Sequence, residues 1–464
     1  MPFDHVQSLV LRPAPGKSVA HLLMRVEPGG GGKALAQLKE FLRTTPLTVG
    51  PDSAATTSMQ CTLGFSYRGL EALCMPAPYL RVFSRLAPAF AHGAPLRSAQ
   101  LGDNGASAPT HWLPGFRLDN AHVLLTLHGL AQKVDELGQE LSGKWRTKPA
   151  PNPGLECIEL LRGDRLGAPS GQQGEWVHFG YRDGETDHHI TGVQNDSSRS
   201  TEHAPGEFLT GYPNDSGFNT FSLPLAPGEV RDFFADSSFG VLRPMRQDVF
   251  LFQQAVETWR QQAEGATGAA VSADWVKAKL CGRWPTGEAI RPGQLQPTPG
   301  DNQLDFRSDP KGTGSPWSAH VRRMNPQGQD DAHQRDRPLV RRGTPFGPAN
   351  WAGTEDGDKR GLLGLFFCSS VEGQFEHLLG QWANRRPLGA PDDSRANDPL
   401  AGQHEFENDA MLVPRTAGAP LAFTGFKPWT QSLGTVFAWH PSKEGVERIL
   451  EQKYVSPEDE GPWL

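Results

Sequence analysis

Residues 122–141 read HVLLTLHGLAQKVDELGQEL. The first seven form a short, mostly apolar run, which suits a strand buried in a sheet. Beyond Gly129 the pattern changes. Leu130, Val134, Leu137 and Leu141 recur at helical spacing and make one apolar stripe. A strand therefore feeds directly into an amphipathic helix. Working towards the N-terminus, MQCTLGFS (59–66) predicts a strand, and YRGLEALCM after it a helix. HLLMRV (21–26) predicts another strand, and QSLVL (7–11) reads as a further one. Residues 33–43 put Leu35, Leu38 and Leu42 on one helical face. Strands separated by helices over one sheet make a split βαβ unit.

The order returns in the second half. SFGVLRPM (238–245) predicts a strand and 247–262 a helix. GLLGLFFCSS (361–370) is an apolar strand, followed by a helix carrying Val371, Phe375, Leu378, Leu379 and Trp382 on one face. SLGTVFAWHP (432–441) supplies the last strand and 443–451 the last helix. The fold class expected is α+β, with two ferredoxin-like halves. Residues 1–165 form the first, and 166–464 form the second with long insertions at 184–235, 262–320 and 385–430. Those insertions are rich in Gly, Pro, Asp and Asn, as ordered loops are. Long loops on a rigid scaffold often carry function.

Composition bounds the rest. The 464 residues are enough for a large core, and 52 Gly with 40 Pro make the chain loop-rich without reaching low complexity. A net charge of -7 argues against a general nucleic-acid binder. No run approaches the ~18 apolar residues of a membrane span. The N-terminus has no basic leader or twin arginine, so a cytoplasmic or encapsulated protein is expected. Five scattered cysteines without a CxxC pair read as reduced, mostly buried thiols.

Several short motifs fail. In PGGGGK (28–33) the lysine is followed by Ala34, where a phosphate loop needs Ser or Thr. His404-Glu405 lacks the second histidine of a zinc helix, and no GxSxG is present. Asp187-His188-His189 reads as a solvated loop. Three other segments belong together: FGYRDG (179–184), HVRRMNP (320–326) and LVRRGTPFG (339–347). Alone, Asp183 is a turn residue, His320 a core histidine and Arg341 a surface cation.

In this order the three segments resemble the dye-decolorizing peroxidase family. Gly180-Tyr181-Arg182-Asp183-Gly184 matches its GxxDG acid motif. His320 to Pro326 matches the segment opened by its haem-ligating histidine. Arg341 precedes Pro345-Phe346-Gly347 as the family's distal arginine precedes its turn. LGFSYRGLEAL (63–73), LRSAQLGDNG (96–105), GEFLTGYPND (206–215), CGRWPTGEAI (281–290) and RGLLGLFF (360–367) also fit, and the length suits the larger, loop-extended branch. The resemblance implies a haem b peroxidase that uses hydrogen peroxide to oxidise organic donors such as dyes and phenolics through a ferryl intermediate. It implies His320 as the iron ligand. It gives Asp183 and Arg341 the catalytic roles beside the cofactor, Asp183 as proton acceptor and donor, Arg341 as stabiliser of charge on the departing oxygen. An aspartate stays a usable base in acid, so an acidic optimum is expected. The proximal histidine should donate its other N–H to an acid; Asp398 and Glu405 are both candidates. His333, in the polar QDDAHQRDR, reads as an exposed loop. No nucleic-acid or membrane partner is expected. The alternative is a haem-binding or haem-delivery protein with little turnover, which would not require both Asp183 and Arg341. Two departures stand out: Glu-Thr-Asp-His-His follows Gly184, where relatives often carry a small polar segment ending in proline, and Gly364 stands where relatives often carry an aromatic.

Overall fold

The computed structural model describes residues 3–51, 59–145, 154–184, 187–193, 200–326, 337–385, 396–404 and 409–455. The first half supplies β1 (Ser18–Val26), β2 (Met59–Phe65), β3 (Val123–Gly129) and β4 (Leu155–Asp164). The second supplies β5 (Ser238–Gln247), β6 (Val340–Arg341), β7 (Gly361–Cys368) and β8 (Val436–His440). All pair in one antiparallel sheet in the order β6-β7-β5-β8-β2-β3-β1-β4. Within each half the order is the same: second, third, first, fourth. Helices that cross from β1 to β2 and from β3 to β4, each over an intervening antiparallel strand, account for the alternation read from the sequence. The halves meet edge to edge where Trp439 of β8 lies opposite Phe65 of β2.

The predicted strand over 7–11 is instead a short helix, Ser8–Leu11. Its side chains are still buried, and Gln7 bonds to Leu63 and Pro441 carbonyls, so an apolar run alone did not distinguish the two forms. The insertions are not all loop. They hold the helix Ala273–Cys281 and a hairpin of Ala410–Val413 with Leu421–Thr424. The helix at 371–383 is wound widely, and Asn384 N–H reaches back five residues to Leu379. Such winding is uncommon beyond a single turn.

The far edge strand β4 packs back against the segment Thr344–Phe346, which itself pairs with β7. A Cβ on Gly163 would stand 2.8 Å from the Pro345 carbonyl oxygen, so glycine is what allows that approach. The sheet thereby curls on itself, and its inner face is partly polar. His21 Nδ1 is 2.9 Å from Thr126 Oγ1, and His128 stands edge-on to His21. His440 fills the space above Gly64, where a Cβ would lie 2.6 Å from its ring. Burial pushes His21 down to about 3 and His440 to about 4. Four cysteines are buried and Cys74 is exposed, all of them free. Among the described residues no helix is long and apolar enough to cross a membrane.

A second core lies outside the curled sheet. Phe179 stacks on Phe252 with centroids 4.3 Å apart, and Trp259 stacks on Phe423. The same cluster includes Tyr181, Cys281, Ala319 and Ala396. It therefore joins the GxxDG loop, the residue before His320 and the segment before Asp398.

Candidate functional site

His320 is the first residue of the helix His320–Met324. The loop leading to it is fixed by Asp309, whose carboxylate accepts the N–H groups of Thr313, Gly314 and Ser315. Buried Arg322 donates to the Asp309 and Ser315 carbonyls and stacks 4.2 Å over the Trp317 ring. Arg323 reaches the other way. Its guanidinium donates to the carbonyls of Trp382, Arg385 and Ala396. The two arginines of the HVRRMNP segment thus tie the histidine to the chain before and after it.

That tie brings Asp398 to His320. The imidazole Nδ1 is 2.8 Å from Asp398 Oδ2, and Asp398 Oδ1 accepts the N–H groups of Leu400 and Ala401. The carboxylate is fully buried. Burial raises its pKa, but the His320 charge and hydrogen bond, Arg323 and the Ala401 N–H outweigh that and hold it below the usual carboxylate value. With Nδ1 engaged by the carboxylate, Nε2 is the ring nitrogen left to meet a ligand. Among the described residues Nε2 has no hydrogen-bond partner, and the side chain is 29% exposed. Of the two acids considered from the sequence, Asp398 makes the contact; Glu405 and His333 lie outside the described residues.

Asp183 is exposed at the end of the hairpin formed by Trp176–Val177 and Tyr181–Arg182. Its Oδ1 accepts the Gly184 N–H, and its own N–H donates to the Glu175 carbonyl. Buried Tyr181 anchors the loop by donating to the Lys277 carbonyl at 2.9 Å. Arg341 is exposed on β6, its backbone opposite Phe366 of β7. Paired antiparallel residues share a face. Arg341 and Phe366 therefore face away from the histidines inside the curled sheet. Gly364 lies on that outer face too. A Cβ there would meet the Phe366 ring at 2.7 Å, so the glycine admits the aromatic rather than leaving space.

Buried Cys281 ties the two sides together electrostatically. Burial raises its thiol to about 12, and Asp398 and Arg341 both act on it. Tyr181, two residues before Asp183, is raised by burial, with Cys281 and Asp398 adding to the shift. Cys281 thus lies within electrostatic reach of Asp398, the partner of His320, and of Arg341. A well-defined cavity lies elsewhere. It has a volume of about 540 Å³ and is lined by Arg97, Glu376, Asn384, Asn397 and Gln403. It touches neither His320, Asp183 nor Arg341.

The Asp187-His188-His189 segment is not a solvated loop. It forms a strand, Asp187–Ile190, parallel to Ser200–His203. Burial, then the positive charges of His203 and Arg341, push His188 down to about 3. Spacing alone could not reveal this, because the two short strands pair in parallel rather than as a hairpin.

No protein-family model matches the sequence. A dye-decolorizing peroxidase of Mycetinis scorodonius is 26% identical over 384 residues, covering 76% of this chain and 70% of that protein. An ancestral D-type dye-decolorizing peroxidase superposes with a TM-score of 0.77 at 21% identity, covering 97% of this chain and 99% of that one. A dye-decolorizing peroxidase in complex with 2,6-dimethoxyphenol superposes with a TM-score of 0.76 at 20% identity, over 97% and 99% of the two chains. The structural likeness establishes the shared fold. Three of the sequence relatives, at 25–26% identity, carry peroxidase names as well, so chain and fold both resemble dye-decolorizing peroxidases.

Proposed function

We propose that the protein is a haem b peroxidase that reduces hydrogen peroxide and oxidises organic donors such as phenols and dyes, with an acidic optimum. The observation that carries the reading is the His320–Asp398 pair: a histidine fixed at Nδ1 by a buried carboxylate, with Nε2 unpartnered among the described residues. That donor set fits haem iron, since a neutral imidazole held by an acid is a usual axial ligand. His320 would hold the iron, and Arg341 and Asp183 would serve the reacting peroxide. Bound haem would supply the redox chemistry that couples peroxide reduction to donor oxidation.

The side chains supply the rest. Asp398 keeps the His320 lone pair aimed and electron-rich. Asp183 can take a proton from one peroxide oxygen and return it to the other. Arg341, permanently charged, stabilises negative charge on the oxygen that leaves. One similar structure holds a phenol, which supports phenolic donors here. The sequence-based division supports a matching split of labour, with 1–165 completing the curled sheet and 166–464 carrying the site. The test is peroxide-dependent oxidation of 2,6-dimethoxyphenol by haem-loaded protein. Saturable turnover well above that of free haem is expected. Turnover no greater than free haem overturns the reading.

A further inference from the structure

A second set of titratable groups leads towards Arg341 from the surface. His188 Nδ1 is 3.0 Å from His203 Nε2, and His203 Nδ1 is 2.6 Å from Asp215 Oδ2. Asp215 is held in place, since its Oδ1 accepts the Ala204 N–H at 2.6 Å and its own N–H donates to Glu207. The side chain of His203 is 4% exposed and that of Asp215 is 43% exposed. The chain of hydrogen bonds therefore runs from exposed Asp215 through buried His203 to half-buried His188. At its inner end the strand Asp187–Ile190 packs against β6, which carries Arg341. His188 lies close enough to Arg341 for that charge to act on it.

We propose that Asp215, His203 and His188 form a proton relay between solvent and the pocket beside Arg341. The inference rests on the peroxidase reading above. Peroxide reduction is H2O2 + 2 H+ + 2 e- → 2 H2O. A donor oxidised at the protein surface delivers only electrons to the pocket, and its protons are lost to solvent. Two protons must then enter by another route. With each ring carrying its N–H on the inward side, His188 gives its Nε2 proton to the pocket. It takes one at Nδ1 from His203 Nε2, and His203 takes one at Nδ1 from protonated Asp215. One proton enters and one leaves with no change in charge, and both rings must turn over to restore the inward tautomers before the second proton follows. The opposite tautomers, which ionised Asp215 favours, carry a proton outwards by the same bonds.

The surroundings suit transit rather than storage. Arg341 and His189 face His188, while Glu207 and, beyond it, Arg337 stand near His203 and Asp215. Burial first, and then the positive charge of Arg341, keep a proton from resting on His188. His203 is further held by an edge contact to Phe208. The rings are thus held in hydrogen-bonding geometry between transfers.

The test uses ligand binding rather than turnover. Hydrogen cyanide must lose its proton as it binds ferric haem, whereas imidazole binds without releasing one. In haem-loaded full-length protein, His188→Ala and Asp215→Asn should each slow cyanide association about tenfold, a modest share of what proton-transfer groups contribute. Imidazole association should stay within about twofold of wild type, the scatter expected where no proton is transferred. Asp215→Asn, changed at the exposed end, decides the matter if His188→Ala fails to fold. Equal cyanide rates in wild type and Asp215→Asn overturn the relay and leave the peroxidase reading intact. Equal slowing of both ligands also overturns it, by showing a steric effect. A wild-type protein with a normal haem spectrum that responds to neither cyanide nor peroxide overturns the peroxidase reading itself.

Discussion

The two halves of the sheet repeat one strand order but use their connections differently. In the first half, β1 passes to β2 through the single helix Gly31–Thr44, and β3 to β4 through Ala131–Lys144. Both helices pack on the sheet and no site is built. In the second half, the path from β5 to β6 carries the helices Val249–Thr267 and Ala273–Cys281, the second core and His320. The path from β7 to β8 carries the wide helix and Asp398. The shared sheet is scaffold; chemistry was added where one copy lengthened its crossovers. The added loops are ordered because each contributes to a core of its own, which offsets the entropy of fixing long connections.

If that contrast is right, damage in the insertions should cost the cofactor or its chemistry, and damage at the seam should cost the fold. The largest expected effect is His320→Ala. It should abolish stoichiometric haem uptake while leaving circular dichroism and the melting transition of the apoprotein near those of wild type. Haem content equal to wild type would remove His320 as the ligand. Next, Arg341→Leu should retain haem but slow the peroxide-induced spectral change by about 10²–10³-fold in stopped flow, the scale of losing one charge-stabilising donor. At the seam, Trp439 is fully buried, with Phe83, Phe233 and Phe234 at centroid distances of 5.0, 5.4 and 5.8 Å. Trp439→Ala should lower unfolding stability by about 3–5 kcal/mol, read by urea denaturation of both apo and haem-loaded protein. Asp398→Asn should weaken haem affinity by about 10–100-fold, as removal of a ligand's supporting acid does.

The smallest effect concerns pH. His21 and His440, inside the curled sheet, have folded values of about 3 and about 4, both depressed by burial. On acidification the unfolded chain binds these protons first, near pH 6.5. Stability is therefore greatest at neutral pH and falls as pH drops from about 6.5 through about 4, by on the order of 1–3 kcal/mol per histidine. Asp398 adds to the loss at still lower pH, because its folded value is below the ordinary one. His21→Leu should flatten the slope of melting temperature against pH in that window. An unchanged slope would show that other groups set the acid limit.

Much of this was legible in the chain itself. The strands over 21–26, 59–66, 122–128 and 361–370 follow from apolar runs bounded by turn residues, and their helices from spacing. The sequence pattern could not separate a buried helix turn from a strand at 7–11, since both bury every residue. It left Leu155–Asp164 unread because that strand is mostly half-buried and alternates weakly. His320, Asp183 and Arg341 were visible through motif resemblance. The choice of Asp398 was not, because it depends on Arg323 bridging segments far apart in sequence. The His188–His203–Asp215 chain was hidden because it depends on parallel pairing of two short strands and on side-chain contacts without a motif.

The central claim is that His320 holds a haem that reacts with peroxide. The most direct measurement is the absorption spectrum of haem-loaded protein before and after one equivalent of hydrogen peroxide, for wild type and His320→Ala. A Soret band in wild type that shifts with peroxide and returns when donor is added, and that is absent in the variant, is the predicted result. A Soret band that peroxide does not move, or one that persists unchanged in His320→Ala, would contradict the account.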